Sequence, residues 1–312
     1  LAYMRPDTVH LLVEAIKLAV ADRIAYGGDP DHVPVPLEAL LSEGYALAQK
    51  GRIDRGRAAL LPDVRHHSGL PDGAVRPGDV SGARGETTHF AVADRDSNVV
   101  TITQTLGAFY GCGIAPGDTG IFLNNMCYWF DLEEGSPNRI GPGKRVDFVI
   151  APTQTLRDGR FVLSMGTPGS WGILQTTPQL VTNVLDFGMD VQEAIEAPRF
   201  RYFEGRRVTM EERFPQHVRR ALEELGHEVE VLEPWSMSVG GAQGIKVNGD
   251  SGVFQGGAED DASAVRNVGG DHILQARELV LHDFATPMGE RNWNETSPDT
   301  YQIRELQANT TT

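Results

Sequence analysis

The chain of 312 residues has only two cysteines, Cys112 and Cys127, and neither stands in a CxxC or Cys/His cluster. That pattern points away from a structural zinc site and from a disulfide framework. A run of about 18 apolar residues is also missing, so no membrane-spanning helix is expected. Basic residues are scarce, with 28 Lys and Arg against 43 Asp and Glu and a net charge of −15. Such an excess of acid repels phosphate, so nucleic acid is not an expected partner, and the charge serves solubility. Apolar content is ordinary at 40%, enough for the core of one large or two smaller domains. No internal repeat is visible. The first residue is Leu1 rather than Met, and no signal-peptide pattern precedes the first helical segment. The chain therefore reads as a fragment lacking its natural N-terminal part, and its compartment is not read from its start.

What is present begins with helices. Asp7 is expected to cap a helix from Thr8 to Tyr26, where Val9, Leu12, Val13, Ile16, Val20 and Ile24 recur at helical spacing. Gly27-Gly28-Asp29-Pro30 stops it, and a shorter helix is expected from Leu37 to Lys50. Residues 62–86 are rich in Pro, Gly, Ser and charge and read as an exposed linker. Strands are expected over Thr88–Asp94, Asn98–Thr105, Ile121–Asn124, Arg160–Met165 and Glu228–Leu232, with a turn at Asp94–Asn98. Further helices are expected to start at Thr177-Pro178, to run over Val191–Ala197, and to run from Pro215 to Leu225 with Gly226 as cap. Strands between helices suggest an α+β or layered architecture.

Thr87 is the residue with the most chemistry in it. It opens Thr87-Thr88-His89-Phe90, directly after the linker. On its own this is a strand start, and His89, two residues on, reads as packed or exposed rather than as a general base. A cut of the Glu86–Thr87 bond would change that. Thr87 would then carry both a hydroxyl nucleophile and a free α-amine, whose ordinary pKa near 8 suits it to take the hydroxyl proton. Two other segments fit the same chemistry. Gly166-Thr167-Pro168-Gly169-Ser170 follows a strand, and its turn can aim two backbone N–H groups at a developing oxyanion; it is otherwise an ordinary Pro-Gly turn. Thr105, in Thr103-Gln104-Thr105-Leu106-Gly107, can hydrogen-bond a nucleophile, or simply end a strand.

Taken together, these segments resemble the γ-glutamyltransferase family of N-terminal-nucleophile hydrolases. The resemblance runs from about Leu12 to Gln255. It is carried by Ala21-Asp22-Arg23, Gly28-Asp29-Pro30, Thr87-Thr88-His89-Phe90 and Gly120-Ile121-Phe122-Leu123-Asn124-Asn125. Gly141-Pro142-Gly143-Lys144-Arg145, Gly166-Thr167-Pro168-Gly169 and Ala194-Ile195-Glu196-Ala197-Pro198-Arg199 complete it, in order. It implies an α+β fold, a four-layer αββα sandwich made as one precursor that cleaves itself before Thr87. Residues 1–86 would then be the end of a large subunit and 87–257 the small subunit, together one domain, with 258–312 a divergent tail. Thr87 would attack a γ-glutamyl amide and pass the acyl group to water or an amine, with Thr105 bonding the nucleophile and Gly169 and Ser170 as oxyanion donors. Neither a metal nor an organic cofactor is implied. The implied partners are a small amide substrate, the paired subunits and a homo-oligomer.

Five positions depart from the family. Gly107 stands where it has a substrate-binding asparagine, Met126 where a polar residue follows the Asn-Asn pair, and Trp129 where a carboxylate binds the substrate amine. Phe148 and Val149 replace a serine pair. Loss of a buried ion-pair partner weakens recognition strongly, so a flatter, more apolar acyl group is expected, as in the acylase-like branch. Ser170 replaces a glycine, which backbone donation tolerates. The alternatives are an amidohydrolase on a non-glutamyl acyl group and a non-catalytic relative. Asn294-Glu295-Thr296 and Asn309-Thr310-Thr311, in the tail, fit a glycosylation pattern that is common by chance.

Overall fold

The computed structural model describes residues 1–60, 87–94, 96–248 and 252–259. Glu86, the linker over 62–86 and the sequons at Asn294 and Asn309 lie outside the described residues. Helices α1 (Pro6–Tyr26), α2 (Leu37–Leu40) and α3 (Glu43–Lys50) come first, followed by strands β1 (Thr87–Ala93) and β2 (Val99–Thr105). Next are β3 (Thr153–Arg157), β4 (Arg160–Gly166), α4 (Ile173–Leu185), α5 (Val191–Glu196), β5 (Phe200–Tyr202) and β6 (Arg207–Glu211). The last are α6 (Gln216–Glu224), β7 (Glu228–Leu232), β8 (Gln243–Val247) and β9 (Phe254–Ala258). The class is α+β.

The described parts of Leu1–Glu86, Thr105–Val149 and Pro198–Val239 form one compact unit. Its sheet has the order β5-β6-β7, with β5–β6 antiparallel and β6–β7 parallel. Val9, Val13, Ile16 and Val20 of α1 pack with Val218 and Leu222 of α6 and with Phe200, Tyr202, Val208 and Met210 of the sheet. Helical spacing thus lays one face of α1 on the strands, as its periodicity predicts.

The second unit comprises the described parts of Thr87–Gln104, Ile150–Ala197 and Gly240–Thr312. Here β1 and β2 pair as one sheet, and a second has the order β3-β4-β8-β9, antiparallel throughout. The register jumps from Thr155↔Leu163 to Leu156↔Phe161, so Val162 is an extra residue in β4. This bulge resets the side-chain alternation. Phe161 joins Ala91, Ala93, Ile245 and Phe254 between the two sheets, while Leu163 and Met165 pack with Leu180, Val184, Val191 and Ile195 of α4 and α5. Ser164 accordingly meets Thr101 of β2, Oγ to Oγ1 at 2.8 Å.

Four sequence expectations are corrected. Arg5, not Asp7, is the N-cap of α1; Asp7 sits in the first turn behind Pro6, where its carboxylate accepts from Thr8 N and favours the helix dipole. The helix expected over Leu37–Lys50 is two helices, because Ser42 caps a new one by accepting from Tyr45 N. Ile121–Asn124 is no strand; Leu123 exchanges backbone bonds with Cys112 and Ile114 across an irregular loop. Finally, α4 begins at Ile173 and Pro178 lies inside it. Side chains add bonds to its first turns: Thr176 Oγ1 donates to Gly172 O at 2.9 Å and Gln179 Nε2 to Gln175 O at 2.9 Å.

Candidate active site

Thr87 is the first residue of β1 and is half-buried. His89, two residues on, is 2% exposed. Its Nδ1 shares a 2.8 Å hydrogen bond with Thr103 Oγ1 of β2, while Nε2 is buried with no hydrogen-bond partner among the described residues. Burial lowers its pKa to about 4, so the ring is neutral near pH 7. It lies against Gly166, where any Cβ would come within 2.6 Å of Nε2 and closer still to Cε1. His89 is therefore packed, one of the two placements its sequence context left open.

From Gly166 the chain leaves β4 through Thr167, Pro168, Gly169 and Ser170. Thr167 Oγ1 donates to the Pro168 carbonyl at 2.7 Å, and Gly172 N donates to the Gly169 carbonyl at 2.9 Å. Gly169 has φ +129° and Ser170 φ +56°, a left-handed corner that a serine seldom occupies. Gly240 (φ +84°) closes over Thr167 Oγ1 and the Pro168 carbonyl so tightly that a Cβ has no room. The turn leads through a short 3-10 segment, Ser170–Gly172, into the N-terminus of α4. Thr87, Gly169 and Ser170 thus belong to the second unit.

The other six expected site residues belong to the first unit. Thr105 Oγ1 accepts from Gly107 N at 2.9 Å. Gly107 has φ +87°, and a Cβ there would meet Met126 Sδ at 2.7 Å and the Asn125 carboxamide. That carboxamide is fixed, because its Oδ1 accepts from Ala108 N at 3.0 Å. Thr105, Gly107 and buried Met126 are therefore brought together, with no space for a side chain at 107. Trp129 is tied to the last pair through Asn138, whose Nδ2 donates to Trp129 O at 2.6 Å and whose Oδ1 accepts from Asp147 N at 2.8 Å. Phe148 and Val149 follow, half-buried and buried.

Several family-like segments hold carboxylates within the first unit. Arg145 binds the buried Asp29 carboxylate through its backbone N at 2.8 Å and Nη2 at 2.6 Å, holding that carboxyl far below the usual range. Arg23 Nη2 meets Asp147 Oδ2 at 2.7 Å. Burial nevertheless raises the Asp147 pKa, against the lowering effect of Arg23. Arg199 N donates to Glu211 Oε2 at 2.7 Å, and Glu211 also takes Arg213 at 2.8 Å and Ser236 N at 3.2 Å. Asn138, Asp147 and Glu211 were not singled out in the sequence; Arg23, in a matched segment, was a signal for Asp147 alone.

One group of potential metal ligands occurs among the described residues: His10, Glu14 and His227, with donor atoms within 4.8 Å of one another. His10 Nε2 faces the Asp54 carbonyl at 2.8 Å and so carries a hydrogen, and His10 Nδ1 faces His227 Nε2 at 2.8 Å. Lys17 Nζ already neutralises Glu14 at 2.8 Å. Burial, then Lys17, His10 and Arg206, push the His227 pKa down to about 3. The cluster supplies its own positive charge and reads as a polar clasp, with little attraction left for a divalent ion.

Comparison with known proteins fits this arrangement. The Gamma-glutamyltranspeptidase family pattern matches residues 1–267. A glutathione hydrolase proenzyme of Escherichia coli K12 is 35% identical over 269 residues, 82% of this chain and 43% of that one. A solved cephalosporin acylase from Bacillus halodurans is 30% identical with a TM-score of 0.70, over 82% of this chain and 44% of that one. A mutant Helicobacter pylori gamma-glutamyltranspeptidase chain is 30% identical with a TM-score of 0.50, over 55% of this chain and 98% of that one. The likeness identifies the fold as the N-terminal-nucleophile hydrolase type, and the chain spans less than half the length of the curated relative it matches. On the family match and these likenesses, the chain belongs to the gamma-glutamyltranspeptidase family.

Proposed function

We propose that the protein is an autoprocessing amide hydrolase or acyltransferase with Thr87 as its nucleophile. The observation that carries this is the position of Thr87, at the head of β1, in the unit that also holds the Gly169–Ser170 turn. The Helicobacter pylori chain adds support: almost all of it corresponds to 55% of this chain, and residues 87–257 are also about 55% of the 312.

In this reading the Glu86–Thr87 bond is cut. The freed α-amine takes the Thr87 hydroxyl proton as Oγ1 attacks the substrate amide carbonyl. The backbone N–H groups of Gly169 and Ser170, backed by the N-terminal end of α4, receive the negative charge on the carbonyl oxygen. The amine leaves with the proton, an acyl ester remains on Thr87, and water or a second amine releases it. Mass analysis of the folded protein tests this. A new chain beginning at Thr87 is expected, and Thr87→Ala should abolish both it and turnover; a wild-type protein that stays uncut and inert overturns the reading.

A second reading, in which the acyl group is not glutamyl, is favoured by the closed corner at Gly107. With Met126 Sδ and Asn125 filling that corner, no side chain at 107 can grip an α-amino acid head. Half-buried Trp129 and Phe148 add apolar surface. A panel of γ-glutamyl, glutaryl and small oxo-acid amides separates the two, and a preference for γ-glutamyl amides sinks the second.

A further inference from the structure

We infer that His89 is a positioning residue, setting the spacing between the strand that carries Thr87 and the turn that carries Gly169 and Ser170. The inference rests on the proposed function for its catalytic consequence, and on geometry for the spacing itself. His89 follows Thr87 by two residues on β1, so both side chains leave the strand on the same face. Its ring is in contact with Gly166, the last residue of β4 and three residues before Gly169. A Cβ on Gly166 would overlap the imidazole, so position 166 admits no side chain while His89 lies there. The two strands are held as close as a flat ring laid on a bare Cα allows.

Thr103 then fixes the ring's rotation, through the 2.8 Å bond to Nδ1. On its far side the turn is closed by Gly240, which presses on Thr167 and Pro168. The turn is thus bounded by two contacts that only glycine permits. A phenylalanine would fill the same slot with no buried nitrogen, whereas His89 Nε2 lies buried with no hydrogen-bond partner among the described residues. A buried polar atom left in that state lowers stability, so its presence points to a role that packing alone does not explain. The role assigned here is orientation: the Thr103 bond sets the plane of the ring, and the plane sets the distance to Gly166.

The test uses the full chain and four variants: His89→Phe, His89→Ala, Gly166→Ala and the double variant His89→Ala/Gly166→Ala. His89→Phe keeps a flat ring and loses the Thr103 bond. It is expected to melt within a few degrees of wild type, yet form the Thr87-headed chain and turn over amide roughly 100-fold more slowly, with KM unchanged. A His89→Phe enzyme with wild-type kcat overturns the inference, and so does a loss confined to KM. Gly166→Ala is expected to lower the melting temperature clearly in the wild-type background and hardly at all in His89→Ala, where the methyl has room. Equal losses in both backgrounds show that His89 does not set the spacing. Because that coupling is read from stability alone, an inert wild-type protein defeats the proposed function while the spacing is still decided.

Discussion

His10 in the first unit and His89 in the second are equally hidden, at 1% and 2% exposure, yet their surroundings are opposites. His10 belongs to a clasp of polar groups that grips backbone. Its Nε2 donates to Asp54 O, Glu14 Oε2 accepts from Ala59 N, and Lys17 Nζ donates to Ala59 O at 3.1 Å. Ala58 N adds a 2.7 Å bond to Leu225 O. An irregular segment is thereby fixed by side chains, since it has no ladder of its own to satisfy it. His89 grips one hydroxyl and lies on a glycine. Buried polarity in the first unit thus replaces missing secondary structure, while in the second it sets a distance between strands that already exist. The two kinds of site should therefore fail differently.

The largest expected effect breaks the clasp. Glu14→Ala leaves the Lys17 ammonium buried without its carboxylate, in a place where both side chains are almost wholly hidden. Removing one partner of such a pair costs about 3–5 kcal/mol. Urea unfolding should show that loss, together with faster proteolysis near residues 54–59. A change under about 1 kcal/mol would mean that water reaches the clasp and that the contrast between the units is false.

Acid should weaken both units, each by a smaller amount. Folding lowers the His89 pKa to about 4 and the His227 pKa to about 3, from an ordinary 6.5. The folded state therefore favours the neutral rings, and below pH 6.5 the unfolded chain binds protons that the folded chain does not. The stability from these rings is complete above about pH 6.5 and is lost as pH falls through 5 towards 4 and 3. At pH 5 the loss is about 2 kcal/mol per ring. Denaturation midpoints at pH 7 and pH 5 measure it, and His89→Phe should remove only the second unit's share. Midpoints that do not move between these values would refute the buried, neutral state of both rings.

Legibility in the sequence cut across the two units. Strands β1, β2, β4 and β7 stood out because their apolar residues alternate or cluster between turn residues. Strands β5, β8 and β9 did not. Phe200-Arg201-Tyr202 is buried along its whole length and has a cation at its centre, so no period of two is left. In β8, Gly244 is required by contact: a Cβ there would meet the Ser164 carbonyl at 2.7 Å. In β9, Gly257 meets Val191 Cγ1 at 2.8 Å in the same way. Glycine reads as a strand breaker, yet here it marks close packing. At the site, Thr87 and the Gly169 turn were visible as motifs. The Asn138 hub and the closed corner at Gly107 were not, because each depends on residues that meet only through loop geometry. Pro178 misled for a local reason, since a proline usually opens a helix and this one lies inside α4, where Gln175 and Gln179 add carbonyl bonds.

The smallest effect concerns two corners that solve the same backbone problem with different residues. The first unit turns at Gly107, with φ +87°, and the second continues from Gly169 into Ser170, at φ +56°. A left-handed residue with a Cβ costs about 1–2 kcal/mol. Ser170→Gly removes that strain but gives the unfolded chain more freedom, worth about 0.4–1 kcal/mol in the other direction. The net expectation is a gain of about 0.5–1 kcal/mol in urea unfolding. The backbone N–H at 170 is kept, so turnover should stay within about twofold if that donor is what serves the oxyanion. A stabilised variant that has lost most of its kcat would instead assign the function to the serine hydroxyl. The strain at Ser170 would then be kept for the side chain, and the two corners would differ in chemistry as well as in shape.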